Sequence, residues 1–128
     1  MTSPRIALAA GAAAAVLALD AGAADAKAGE AVYERCAACH SLGHDRTGPR
    51  HCGLLGRRAG SVKDFAYSDA MKRSGIVWTK ASLDRFLAAP MAAVPGTSMG
   101  YAGIGDAKER ADLIAYLERS NQAPPCRK

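Results

Sequence analysis

The sequence predicts an all-α domain in which three to five helices are joined by long loops. Apolar side chains recur at helical spacing, as at Leu113, Tyr116 and Leu117, and no run alternates apolar and polar residues as a strand does. Glycine-rich loops occupy residues 41–64 and 91–105. Loops of that length are unusual in a compact domain unless something inside the domain organises them. The chain of 128 residues is long enough for one such domain.

Helix signals define the elements in chain order. Thr79 is a plausible N-cap, and a proline at position 90 should stop the helix that follows it. Asp106 begins the last helix, with Glu109 as its capping-box partner three residues later. The predicted helices therefore cover residues 27–35, 68–73 and 79–90, followed by a last helix that starts at residue 106.

The first 26 residues have the pattern of a cleavable signal peptide. Arg5 supplies positive charge, residues 6–19 are apolar, and Ala24-Asp25-Ala26 is a small-residue cleavage pattern. The apolar stretch is too short to span a bilayer comfortably, which disfavours an uncleaved anchor. We expect cleavage near residues 24–26, a mature domain of residues 27–128, and export to the periplasm without stable membrane insertion. Disulfides persist in such a compartment.

The charge pattern argues against nucleic-acid binding. Formal net charge is +5, but the basic residues form no block and no stripe with interleaved aromatic residues. They are scattered over the domain, as at Arg46, Arg50, Arg57, Arg58, Lys63, Lys72 and Arg85. This distribution is typical of a solvated surface.

The strongest chemical signal is Cys36-Ala37-Ala38-Cys39-His40, because C-x-x-C-H is the pattern of c-type haem attachment. Two thiols three positions apart can add to the two vinyl groups of one porphyrin. The adjacent His40 can then supply a neutral imidazole nitrogen to the iron. The motif predicts one covalently bound haem c.

Three other interpretations of the motif are weaker. A zinc site usually has a second pair of ligands at suitable spacing. The remaining cysteines and histidines do not form one; they are His44, His51, Cys52 and Cys126. A thioredoxin-like redox pair occurs in a βαβ unit, and the sequence predicts no strand. A structural disulfide between Cys36 and Cys39 would not explain why His40 follows them directly.

The second axial ligand should come from far along the chain, and Met99 is the best candidate. It follows residues 94–98, a constrained Val-Pro-Gly-Thr-Ser loop that can present a thioether. A soft methionine sulfur opposite histidine is a ligand pair that cytochromes use to raise the potential. Met71 and Met91 are the rival candidates.

From about residue 28 to residue 119 the chain resembles the class I cytochromes c, of the bacterial cytochrome c2 and mitochondrial type. The resemblance covers nearly the whole predicted mature chain. It rests on ordered matches at Gly29, C-A-A-C-H and residues 47–49, 53–57, 65–68, 74–78, 95–99, 101–103 and 112–117. It implies the class I cytochrome c fold, in which helices and long loops surround the haem.

The resemblance also implies roles for individual residues. Pro49 would offer its carbonyl to the free ring nitrogen of His40, and Thr97 would close the haem crevice near Met99. Four residues would hydrogen-bond or neutralise the haem propionates: Arg57, Tyr67, Ser68 and Trp78. The first helix would pack on the last through Gly29 and Tyr33 against Leu113 and Tyr116.

The sequence departs from the family in two respects. Met71 and Phe86 occupy positions that often carry polar side chains around an internal water. Mitochondrial relatives ring the haem edge with lysines, whereas several of those positions here are Met91, Ala92, Ser98, Gly105 and Asp106. Arg35 and Arg46 remain basic. We therefore expect weak electrostatic steering of partners and no lysine-ligated form at alkaline pH.

The remaining two cysteines, Cys52 and Cys126, are expected to form a disulfide. Haem takes Cys36 and Cys39, and free thiols are a liability after export. The resemblance puts Cys52 near the end of the last helix, where Pro124 and Pro125 could turn the tail back. The alternative is a buried Cys52 and a frayed Cys126, either left free or paired with other molecules.

The function implied is that of an electron-transfer protein rather than an enzyme: a soluble, monomeric, periplasmic one-electron carrier. Its partners would be redox proteins such as a membrane cytochrome complex, an oxidase, a reaction centre or a periplasmic dehydrogenase. A haem subunit of a dehydrogenase or oxidase complex is an alternative. A peroxidase-like or gas-binding protein needs an open sixth position, and Met99 argues against that.

Overall fold

The computed structural model describes residue 1 and residues 22–127. The predicted signal segment, residues 6–19, lies outside the described residues. Within them the chain forms no strand, only an isolated antiparallel bridge between Arg58 and Val77. Five helices are present in the described part: α1 (Ala26–Tyr33), α2 (Asp69–Arg73), α3 (Lys80–Ala88), α4 (Pro90–Ala93) and α5 (Ala107–Asn121). None of these helices is long and apolar enough to cross a membrane.

Side-chain caps begin four of the five helices, because the first backbone N–H groups of a helix lack internal partners. Asp25 and Ser68 accept the first-turn N–H groups of α1 and α2. Thr79 and Asp106 do the same for α3 and α5, which confirms both predicted starts. Glu109 donates its N–H to Asp106, but its carboxylate binds Arg35 rather than completing a capping box.

The helix ends differ from the predictions in three places. Helix α1 spans Ala26–Tyr33, not residues 27–35, since residues 34–39 leave the helix as successive turns. Helix α3 ends at Ala88. The predicted loop at residues 91–105 begins with a separate helix, α4, for which Pro90 is the first residue. Proline stops α3 but suits the first turn of a new helix, because no N–H is needed there.

Helices α1 and α5 cross in close contact, as the resemblance implied. A Cβ atom on Gly29 would lie 1.9 Å from the Asp112 carbonyl oxygen, so only glycine fits at this crossing. The Tyr33 and Tyr116 ring centroids are 5.1 Å apart, and Leu113 is 1% exposed. This helix pair forms the frame on which the loops are arranged.

The glycine-rich loop is tied to the segment before α3. Gly56 N donates to Trp78 O at 2.7 Å, Trp78 N donates to Arg57 O at 2.9 Å, and Ala59 N donates to Ile76 O at 2.8 Å. Trp78 is buried and its ring lies 5.1 Å from that of Phe86. The loop is therefore irregular but fixed, and it brings Arg57 beside Trp78.

Candidate functional site

The two cysteines of the motif project from turns that directly follow α1. Cys39 N donates to Cys36 O at 3.1 Å and His40 N donates to the same oxygen at 2.8 Å. This turn keeps both thiols and the imidazole within one short segment. Within the described residues neither Cys36 nor Cys39 forms a disulfide; Cys36 is half-buried and Cys39 is exposed. Burial raises the pKa of the Cys36 thiol.

His40 is oriented by a backbone acceptor. Its Nδ1 lies 2.8 Å from the Pro49 carbonyl oxygen, so Nδ1 carries the proton and donates it there. Burial lowers the pKa of His40, an effect that the Pro49 bond opposes and that Arg46 and Arg57 reinforce. The ring is thus neutral at neutral pH, with Nε2 as its basic nitrogen.

Gly48 allows the backbone to lie against the His40 ring. A Cβ atom there would lie 2.3 Å from Cε1, 2.5 Å from Nε2 and 2.6 Å from Nδ1. Nearly equal distances to three adjacent ring atoms put that Cβ over the face of the imidazole rather than beyond its edge. Gly48 N also donates to Cys39 O at 2.7 Å, which closes the loop on the motif.

His51 also contacts this ring, and sequence analysis missed it. The His40 and His51 ring centroids are 4.2 Å apart with 20° between the planes, and His51 Nδ1 lies 3.0 Å from the Tyr33 hydroxyl. Burial lowers the pKa of His51 to about 3, with smaller contributions from His40 and Arg57. A lone histidine in an aperiodic loop carries no signal that could have predicted this contact.

Cys52 follows His51 directly and lies against the C-terminal tail. Its α carbon is 5.0 Å from that of Cys126, within the range that a disulfide requires, and the structure joins the two sulfurs. Asn121 Nδ2 donates to His51 O at 3.2 Å beside this connection. The end of α5 therefore contacts the loop that supports His40.

Arg57 contains an unsatisfied buried atom. Its terminal nitrogens donate to Cys52 O at 3.2 Å and to Arg50 O at 3.0 Å, whereas Nε is buried without a hydrogen-bond partner in the described residues. Burial is the main cause that lowers the pKa of this guanidinium. A buried N–H of a cation without a partner is costly, so this group suits an anionic ligand.

The other residues assigned by resemblance have contacts of their own. The Tyr67 hydroxyl accepts from Val62 N at 3.2 Å, and the Ser68 hydroxyl accepts from Met71 N at 3.1 Å. Thr97 Oγ1 accepts from Met99 N at 3.2 Å. Met99 is half-buried and packs against the core from its loop.

Comparison with known proteins agrees with this geometry. The family model described as Cytochrome c matches residues 26–121. The chain belongs to the cytochrome c family. It is similar to cytochrome c2 of Blastochloris viridis, with 44% identity over 76% of the chain and 79% of the relative. It is also similar to cytochrome c2 of Agrobacterium tumefaciens, with 43% identity over 79% of the chain and 96% of the relative.

A solved structure supports the same membership. Cytochrome cH from Methylobacterium extorquens matches with a TM-score of 0.73 and 43% sequence identity. The match covers 75% of this chain and 99% of that protein. The class I cytochrome c fold predicted from the resemblance is therefore confirmed. Members of the family are electron-transfer proteins rather than enzymes, and they bind one covalently attached haem c.

The residues present fit that group. Two free thiols precede a neutral histidine whose Nε2 is its basic nitrogen, and a glycine lets the backbone lie against the ring. The Arg57 Nε, buried without a partner in the described part of the chain, suits a carboxylate. Cys36, Cys39 and His40 would hold the haem.

Proposed function

We propose that the chain is an exported one-electron carrier in which His40 and Met99 ligate the haem iron. Haem supplies an iron that cycles between the ferrous and ferric states. The observation that carries the proposal is the 2.8 Å bond from His40 Nδ1 to the Pro49 carbonyl. That bond fixes the tautomer and leaves Nε2 as the nitrogen with a free lone pair.

The environments of the three methionines in residues 27–128 support Met99. Met71 lies inside α2 and is 8% exposed as part of the core, whereas Met91 is 53% exposed on α4. Met99 lies outside the helices and is half-buried, and its N–H is fixed by the Thr97 hydroxyl. A loop residue with partial burial can present its sulfur without unpacking a helix.

Carbon monoxide binding tests the methionine assignment. Met99→Ala should open the sixth coordination position, admit carbon monoxide in the ferrous state and lower the potential, because a thioether favours the reduced iron. Met91→Ala is the matched control, since an exposed methionine can be removed without opening a site. Carbon monoxide binding by the control variant alone would refute the assignment.

We also propose that four residues contact the haem propionates: Arg57, Tyr67, Ser68 and Trp78. Arg57 has the strongest support, since its Nε is buried and unpaired in the described residues. The Tyr67 and Ser68 hydroxyls accept backbone N–H groups, and each therefore keeps its own O–H free to donate to a carboxylate. Arg57→Leu should lower the reduction potential of the covalently held haem more than Arg58→Leu does, because removing a cation beside the haem favours the oxidised iron; Arg58 is an exposed neighbour and serves as the control.

Signal cleavage after Ala24 fits the fold better than cleavage after Ala26. Asp25 caps α1 through its side chain, and its backbone nitrogen donates to Asp112 Oδ1 at 2.7 Å. Cleavage after Ala24 would convert that amide into an ammonium beside a carboxylate, whereas cleavage after Ala26 would remove the cap. The intact mass of the exported protein should equal the mass of residues 25–128 plus one haem. Acid acetone should not extract that haem, because it is covalently attached.

A disulfide between Cys52 and Cys126 is part of the proposal for the exported form. The α-carbon separation of 5.0 Å permits it without backbone movement. A crosslink over a sequence separation of 74 would contribute about 4 kcal/mol in the chain-entropy model. Thiol titration of the denatured, unreduced protein should find no free thiol and reduction should release two. Two thiols before reduction would contradict the pairing.

The proposed partners are other redox proteins, which the monomeric carrier meets transiently. Arg35, one of the two basic positions kept near the haem edge, is bonded to both oxygens of Glu109, at 2.9 and 2.6 Å. That pairing reduces the positive field available to an acidic partner. The electron-transfer rate should therefore fall only gently as salt rises, and a steep fall would contradict weak steering.

A further inference from the structure

His51 stacks on the His40 ring. Its ring lies 4.2 Å from the His40 ring, centroid to centroid, and the planes differ by 20°. The Tyr33 ring meets His51 edge-on at 5.6 Å, and the Tyr33 hydroxyl lies 3.0 Å from His51 Nδ1. Tyr33 is itself 8% exposed, so one buried aromatic residue fixes the ring that lies on His40.

The backbone of His51 is fixed from two directions. His51 N donates to Ser41 O at 3.1 Å, next to His40 in the chain, and His51 O accepts from Asn121 Nδ2 at 3.2 Å. The adjacent Cys52 is joined to Cys126. The position of His51 therefore depends on the motif segment and on α5 together.

We propose that His51 is a positioning residue that sets the plane of the His40 imidazole. The inference rests on the proposed ligation by His40. The hydrogen bond from Nδ1 to the Pro49 carbonyl fixes a point on the ring, and the Gly48 backbone limits how far the plane can turn about that bond. The stacked second ring removes the remaining freedom, because turning His40 would break the face-to-face contact.

The stacked ring also has an electrostatic consequence. The face of a neutral aromatic ring is negative and attracts positive charge. His40 gains positive character when the group it ligates is oxidised. His51 should therefore favour the oxidised state, and replacing it with an alkyl side chain should raise the reduction potential.

Two spectroscopic readouts test the proposal with matched variants. The ferric haem-methyl proton shifts report the plane of the axial imidazole, and the reduction potential reports the charge effect. His51→Leu should change the pattern of methyl shifts and raise the potential. His51→Phe keeps a ring on His40 and should show smaller changes of the same sign. His44→Leu is the control and should match the wild type, since His44 is exposed and its ring contacts the Ser41 hydroxyl at 3.2 Å.

The outcomes separate three cases. His51→Leu with haem bound, wild-type methyl shifts and wild-type potential would overturn the proposal. If that variant does not fold, His51→Phe and Tyr33→Phe decide instead, because Tyr33→Phe frees the His51 ring while keeping the packing. Unchanged readouts in both would equally overturn it. Wild-type protein without a low-spin ferric spectrum would instead overturn the proposed ligation by His40.

Discussion

The segment that carries His40 and the loop that carries Met99 are supported in different ways. His40 contacts a backbone carbonyl, a glycine and a second imidazole, all supplied by residues 48–51. The Met99 loop depends on a turn at Gly96, with φ of 90°, and on the bond from Met99 N to the Thr97 hydroxyl. Residues 48–51 fix the side chain of His40. The Gly96 turn and the Thr97 hydroxyl instead fix the backbone of Met99 rather than its side chain.

This difference predicts where the molecule tolerates change. A ring enclosed by backbone and stacked side chains cannot move without displacing several groups, because protein interiors are close-packed. A thioether on a loop can adjust by rotating about its own bonds. Substitutions in residues 48–51 should therefore change haem attachment and the free energy of unfolding. Substitutions near Met99 should change how readily another ligand replaces its sulfur.

The largest effect should come from Gly48→Ala. The new methyl group would overlap the His40 ring at 2.3 Å, so either the loop or the ring must shift. We expect a loss of about 1–3 kcal/mol in the free energy of unfolding and a low haem content, as for overpacking in a core. Gly43→Ala is the control, since a Cβ atom there would meet the Pro125 side chain at 4.0 Å, an ordinary contact. Equal haem content and equal free energies of unfolding in both variants would show that close packing of the backbone against His40 is not what supports haem attachment.

A smaller effect should follow Thr97→Val, which removes the acceptor for Met99 N. One lost hydrogen bond should cost about 0.5–1.5 kcal/mol in the free energy of unfolding. Haem should still attach, while the ferrous protein should admit carbon monoxide faster than the wild type. Thr97→Ser keeps the hydroxyl and should behave as the wild type in denaturant titration and carbon monoxide binding.

Asp112→Asn should act on the frame that carries both segments. The Asp25 N–H is the first cause that lowers the pKa of Asp112, followed by Lys108 at 2.6 Å. A lowered folded-state pKa stabilises the fold above the unfolded pKa of about 3.9, and this contribution is lost as pH falls. The variant should be less stable than the wild type at pH 7, with a gap that narrows below about pH 4 in thermal melts. A gap independent of pH would show that the carboxylate charge is not involved.

The smallest effect concerns alkaline pH, where the Met99 loop should show no exchange for an amine. Residues 91–105 contain no lysine. Magnetic resonance of the ferric protein should therefore find no lysine-ligated form as pH rises. Ser98→Lys places an amine beside Met99 and should create such a form, which makes it the positive control. An amine-ligated form in the wild type would contradict the prediction.

Local sequence signals were sufficient for most of the fold. Thr79 and Asp106 predicted the starts of α3 and α5, because a capping side chain acts within its own first turn. The sequence analysis did not predict helix α4, because a proline such as Pro90 is equally compatible with the end of one helix and with the first residue of another. The predicted capping box at Glu109 was also wrong, because the Glu109 carboxylate accepts from Arg35, which is 74 residues away in the chain.

The C-x-x-C-H motif alone predicted the covalent haem, because covalent geometry limits what residues at such short, fixed spacing can do. The resemblance to the class I cytochromes c, spread over residues 28–119, implied the family and the role of Pro49. The folded structure was needed to show that His51 stacks on His40, that the Tyr33 hydroxyl binds His51, and that Asn121 donates to the His51 carbonyl. Contacts between aperiodic loops depend on how the α1–α5 frame folds the chain back on itself, and neither spacing nor residue type records that path.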